Sequence, residues 1–201
     1  MPIKNGGVIE LIDVRLSFPQ IWVAKSFEEG QPPRYEASFL LDPSNGKHEE
    51  MIKEIKQETK RVATEKWGND WKKENFFKGK CFGTEAALAT VYDGYADMFW
   101  VRTAKLASDG RPLIVDRDGS PLTVEDGKPY AGCNVSATLS LWCQDNKFGK
   151  RINANLRAIK FRSDNDAFSA NAIGSAEDEF SDDDEDDVNT VSGDDADFLD
   201  D

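Results

Sequence analysis

Residues 8 to 18, VIELIDVRLSF, alternate loosely between apolar and polar positions. The β-branched side chains of Val8, Ile9, Ile12 and Val14 suit a pleated surface, so a strand is expected there. Pro19 has no amide hydrogen and is expected to interrupt its ladder. After a loop marked by Gly30, Pro32 and Pro33, the residues Tyr35, Ala37, Phe39 and Leu41 share one face at a period of two, which predicts a second strand paired with the first. The turn residues Asp42 to Gly46 then lead into Met51, Ile52, Ile55, Val62, Ala63 and Trp67, recurring at helical spacing among Glu, Lys and Gln. That pattern predicts an amphipathic helix over about residues 47 to 67.

The following WKKENFFKGKCFG mixes aromatic and basic residues without a period, and Gly79 and Gly83 suggest a loop leading to a return strand. DMFWVRTA, residues 97 to 104, predicts a strand with Phe99 and Val101 on one face and Trp100 and Arg102 on the other. Between Ser108 and Gly132, three Asp-Gly pairs at 109, 118 and 126 predict chain reversals. The clearest strand is Asn134 to Cys143, where Val135, Ala137, Leu139, Leu141 and Cys143 alternate with polar residues and Trp142. QDNKFGK then predicts a hairpin loop, and Ile152, Ala154, Leu156 and Ala158 alternate with Asn153, Asn155 and Arg157. The terminal hairpin thus pairs a core face with a polar face rich in Asn and carrying Arg157.

Charge divides the chain sharply. Its 201 residues carry 25 Lys and Arg against 38 Asp and Glu, a net charge of −13, but Arg162 is the last basic residue and 16 of the acidic residues fall between Asp164 and Asp201. Residues 1 to 163 therefore have a small positive excess of +3. Beyond Arg162, hydrophobic content falls and like charges repel, so disorder is expected from about residue 168. The expected organisation is a β-rich body over residues 1–167 with one helix, then an acidic tail over 168–201. No apolar run approaches the roughly 20 residues of a membrane span, and the start MPIKNGGVIE lacks the apolar stretch of a signal peptide. Cys81, Cys133 and Cys143 form no CxxC pair and lie far from the single histidine, His48, which argues against a disulfide framework or a zinc site and for a reducing cytoplasm.

Catalytic chemistry finds little support. There is no Gly-rich phosphate loop, no GxSxG elbow and no HExxH helix. Cys–His catalysis would have to use His48, which reads as a polar residue at the start of the helix. Glu85, Asp93 and Asp97 would suit Mg²⁺ and define a metal-dependent nuclease as a rival reading. DRDGS at 116 to 120 has its glycine too early for a calcium loop and reads as a tight turn.

Binding to single-stranded nucleic acid needs cations to replace counterions along the phosphates and flat rings on which unpaired bases stack. Both are interleaved here. Trp100 and Trp142 are the expected stacking platforms, with Phe148 and Tyr95 as further ones, and Arg102, Lys105, Lys147, Lys150, Arg151 and Arg157 are the expected phosphate partners. Tyr35, Phe39 and Phe99, which share faces with aliphatic residues, are expected in the core. The tail sets Phe180 and Phe198 among carboxylates, as a nucleic acid sets bases among phosphates. It is therefore expected to imitate a single strand, to compete for the basic groove, and to recruit replication proteins when released. A second rival follows from the same feature, an acidic mimic that inhibits a DNA-binding enzyme.

The segments VRLSFPQIW, YEASFLLDP, RPLIVDRDGSPL, KPYAGCNVSATLSLW and GKRINANLRAIKF, followed by an AEDEF-type tail, together resemble the single-stranded-DNA-binding proteins of tailed bacteriophages over most of residues 8 to 180. The resemblance implies an all-β to α+β body, a single five-stranded oligonucleotide/oligosaccharide-binding (OB) barrel with an inserted helix and an acidic C-terminal tail. It further implies non-enzymatic, non-sequence-specific binding of single strands without a cofactor. The implied setting is phage replication, recombination and repair in the cytoplasm of the infected bacterium, with phage replication or recombination proteins as partners of the tail.

Overall fold

Alternating strands must bury their apolar faces against one another, and here they do so by closing a sheet around one core. The computed structural model describes residues 7–26, 29–84 and 86–168. Glu85, Phe180, Phe198 and the rest of the acidic run after Phe168 lie outside the described residues.

In chain order the strands are β1 (Val8–Lys25), β2 (Arg34–Leu41), β3 (Gly79–Lys80), β4 (Phe82–Gly83), β5 (Phe99–Leu106), β6 (Leu113–Val115), β7 (Asn134–Asn146) and β8 (Gly149–Ser163). Five of them form the body. β1 pairs antiparallel with β2 and β7, β2 with β5, and β7 with β8. A parallel contact between β5 and β8, Ala104 opposite Asn155, closes the circuit β1-β2-β5-β8-β7. This is the expected OB-like barrel, which has no long free edge. Where β5 and β8 diverge, β3 pairs with β8 and β4 with β5, so residues 79–83 fill the gap between them.

The inward residues Leu16, Phe39, Val101, Leu139, Leu156 and Phe161 belong to one buried cluster. Helix α1 (Gly46–Trp67) begins at Asn45, whose side chain accepts from the Lys47 amide at 3.0 Å, and ends at Gly68, which takes φ +61°. Its Met51, Ile52, Ile55, Val62 and Ala63 join that cluster, as their spacing predicts. Phe39 and Phe99 are in the core as expected, whereas Tyr35 is only half-buried. His48 is a structural residue: its Nδ1 accepts from the Asp42 amide at 3.0 Å, which leaves Nε2 to donate to the Asp13 carbonyl at 3.0 Å.

The ladder from β1 to β2 breaks at Pro19 as expected, with a register shift between Ser17 and Gln20, although the strand itself runs on past residue 18 to Lys25. The aromatic and basic segment after α1 leads to the short strands β3 and β4 as expected and is held against the hairpin, with the Lys78 amide donating to the Lys150 carbonyl at 2.8 Å. The hairpin loop is shorter than the expected QDNKFGK, since Asn146 pairs with Gly149 and only Lys147 and Phe148 turn. The three Asp-Gly reversals form as expected, at Gly110, Gly119 and Gly127, all with positive φ.

Candidate nucleic-acid interface

The apolar residues Leu16 and Ile21 both face the core although five positions separate them, so β1 must carry one extra residue between them. That residue is absorbed at Phe18-Pro19, where Phe18 adopts φ +47°. A bulge of this kind re-aims a side chain, and the Phe18 ring turns outward, 51% exposed. It meets Tyr92 edge-on with centroids 4.9 Å apart, and Tyr92 is itself 40% exposed.

Beside these rings lies an open cleft of about 460 Å³, floored by Ser38, Glu36 and Ala37 of β2 and bordered by Gln20 and Arg102. Arg102 sits directly across the β2–β5 ladder from Ser38. The one carboxylate lining the cleft, Glu36, is ion-paired to Arg34 Nε at 2.5 Å. Arg102 is exposed and has no ion pair among the described residues. The cleft therefore offers two ring faces, hydroxyl and amide groups, and one uncompensated cation.

Two expected stacking platforms lie against this site with their own faces covered: the Tyr95 ring is 5.7 Å from that of Tyr92. Trp100 and Tyr95 are only 9% and 5% exposed and pack with Leu40 in a small second cluster, against which Leu88, Met98 and Phe168 lie. Trp100 shares its face with Arg102 as expected, the guanidinium standing 5.6 Å from its ring. It packs beside the cleft, on the sheet face of Arg102, and its ring face is closed to a base. Lys105 is half-buried on the opposite face of β5, with Val101 and Thr103, and does not join Arg102. Arg15 cements the neighbouring wall: its guanidinium lies 4.4 Å from the Phe168 ring and donates to the carbonyls of Gly132 and Asp166 at 2.5 and 2.6 Å.

The remaining expected residues collect at the β7–β8 hairpin. Trp142 is 48% exposed opposite Asn153, and Phe148 is 67% exposed at the tip, with Lys147 Nζ 5.0 Å from its ring. Lys150 lies 3.5 Å from Asp145 and 5.4 Å from the Phe76 ring, and Arg151 is exposed. The Asp145 carboxyl is held below its ordinary range because Trp67 Nε1 donates to it at 2.8 Å, with Lys150 adding to the effect. Arg157 is exposed further along β8, at the register shift between Leu156 and Ala158.

Among the described residues, nucleophilic and metal chemistry find no assembled group. Burial pushes the Cys81 thiol up to about 12 and the Cys133 thiol up to about 11, so both stay protonated at neutral pH. Among the described residues no group of three or more His, Cys, Asp or Glu is close enough to hold a metal ion. No helix among them is long and apolar enough to cross a membrane.

Sequence reasoning missed Phe18 and Tyr92. Phe18 had a signal in the odd spacing of Leu16 and Ile21 around a proline. Tyr92 had none, since its loop has no periodicity.

The chain as a whole is similar to several phage proteins. The profile of a family described as the ssDNA-binding protein of Enterobacter phage Enc34 matches residues 8–189. Protein p50 of Acyrthosiphon pisum secondary endosymbiont phage 1 is 37% identical over 179 residues, covering 87% of this chain and 92% of p50. The solved single-stranded DNA-binding protein of bacteriophage Enc34 in complex with ssDNA matches with a TM-score of 0.73 at 23% identity, over 83% of this chain and 92% of that one. The gp2.5 single-stranded DNA binding protein encoded by bacteriophage T7 matches with a TM-score of 0.53 at 14% identity, over 92% and 98%. At those identities the two structures establish a shared fold. The family profile spans the whole barrel, and on that ground the chain belongs to the Enc34-type family of phage single-stranded-DNA-binding proteins.

Proposed function

We propose that this chain binds single-stranded DNA without sequence preference, stacking bases on Phe18 and Tyr92 while Arg102 meets a phosphate. The observation that carries the reading is the exposed ring pair beside an arginine with no ion pair, on the β1–β2–β5 wall. Every base has a π-face, so stacking tolerates any sequence, and a cation read only by phosphates adds no base preference. Trp142, Lys147, Phe148, Lys150 and Arg151 extend the contact along the hairpin. The protein thereby covers unpaired strands and opposes their re-pairing during phage replication, recombination and repair, in the cytoplasm of the infected host. It does so as a binder and leaves the strand intact.

The acidic tail competes for the same surface and, when displaced, recruits replication or recombination proteins. Phe168, which precedes the acidic run, packs against the Leu40, Tyr95 and Trp100 cluster beside the cleft.

Fluorescence anisotropy of a labelled oligonucleotide across a salt series tests the reading. If Arg102, Lys147, Lys150 and Arg151 each neutralise a phosphate, log affinity falls against log salt with a slope of about −3. Removing residues 169–201 strengthens binding, and the strand survives incubation with Mg²⁺. A slope near zero, or cleavage of the strand, would refute it.

A further inference from the structure

We infer that the connector from α1 to β3, residues 68–78, together with Lys80 forms a second platform that takes the continuation of the strand held in the cleft. This rests on the cleft reading but uses residues that reading does not.

The connector concentrates the body's positive charge. Between Lys66 and Lys80 five lysines face only Asp70 and Glu74, in a chain whose net charge is −13. Lys73 is paired with Asp70 at 2.7 Å, whereas Lys72, Lys78 and Lys80 are exposed and have no ion pair among the described residues. Two of them rest on rings: Lys72 Nζ is 5.9 Å from the Trp71 centroid, and Lys80 Nζ is 5.8 Å from that of Phe77. Exposed cation–ring contacts are weak. Such a lysine gains by moving to a phosphate, and its departure uncovers a ring face for a base.

The rings are held ready. Phe76 lies 5.3 Å from both Trp67 and Phe77 in edge-on contacts, and Lys150 of the hairpin stands 5.4 Å from its ring. The backbone fixes this arrangement by the pairing of Gly79 with Arg151 and by Gly149 at φ +104°, where a Cβ would strike the Lys78 side chain at 2.5 Å. The platform is also joined to the cleft. The Arg102 amide donates to the Cys81 carbonyl at 2.7 Å, so Lys80 stands one residue from the backbone partner of Arg102. Adjacent strands lie about 5 Å apart, so the backbone at Lys80 runs beside that of Arg102. Charge complementarity, ring faces and continuity with the cleft select single-stranded DNA as the occupant over an acidic peptide.

The test compares a five-nucleotide and a twenty-nucleotide dT oligomer on the full chain, as wild type, as Lys72→Gln/Lys78→Gln/Lys80→Gln, and as Phe18→Ala/Tyr92→Ala. The lysine variant should bind the short oligomer within about twofold of wild type. It should lose about tenfold on the long one at low salt, with a salt slope shallower by about 2. Phe76→Leu should weaken only the long oligomer, with the slope unchanged. Equal loss on both lengths, or loss on neither, would overturn the platform. So would a lysine variant that keeps long-oligomer affinity but no longer binds a synthetic peptide of residues 177–187. If the Phe18 and Tyr92 variant binds both lengths like wild type, the cleft reading fails by itself, and the length dependence of the lysine variant still decides the platform.

Discussion

The cleft and the hairpin both present rings to solvent, yet they are built on opposite principles. In the cleft, Phe18 and Tyr92 contact each other and border open space, and a single cation, Arg102, stands nearby. Phe18 is set by the bulge of a paired strand, and Tyr92 reaches it from the loop before β5. At the hairpin, cations already cover the rings, Lys147 over Phe148 and Lys150 over Phe76, and positive charge is plentiful. The comparison assigns the short-range, salt-insensitive part of binding to the cleft and the counterion-release part to the hairpin and its neighbours.

The largest expected effect separates the two tryptophans. Trp100→Ala leaves a hole in the small cluster beside the cleft and should cost about 3–5 kcal/mol of stability, measured by denaturant unfolding. Trp142→Ala should leave stability within about 0.5 kcal/mol and act on binding alone. Next, Phe18→Ala and Tyr92→Ala should each cost about 1–3 kcal/mol of affinity with an unchanged salt slope. A slope that changed with them would dissolve the division between the two regions. Smaller still, Lys147→Gln/Lys150→Gln/Arg151→Gln should make the slope shallower by about 2, and Arg102→Gln by about 0.7. The smallest effect belongs to Tyr95→Phe: a ring 5% exposed offers no face to a base, so affinity should stay within about twofold.

The barrel was legible because its strands obey a period of two and its helix a period of 3.6. Val135 to Cys143 and Met51 to Ala63 fall where those periods place them. The interface was legible only where side chains follow from strand parity, as with Trp142 outward and Arg102 beside Trp100. Parity says which face a residue takes but not what covers that face, so Trp100 reads as exposed until Leu40, Tyr95 and Phe168 are seen around it. Lys105 reads as a partner of Arg102 by proximity in sequence, while its odd offset puts it on the other face. Phe18 escapes because a bulge breaks the period at the residue that matters, and Phe76 because its position depends on a hairpin some seventy residues away.

Photo-crosslinking with oligonucleotides carrying 5-iododeoxyuridine, read out by mass spectrometry of the adducted peptides, tests the central claim most directly. The account predicts adducts on Phe18 or Tyr92 at every position of a short oligomer that fills the cleft, persisting at high salt. Adducts confined to the hairpin, with Phe18 and Tyr92 unmodified, would contradict it.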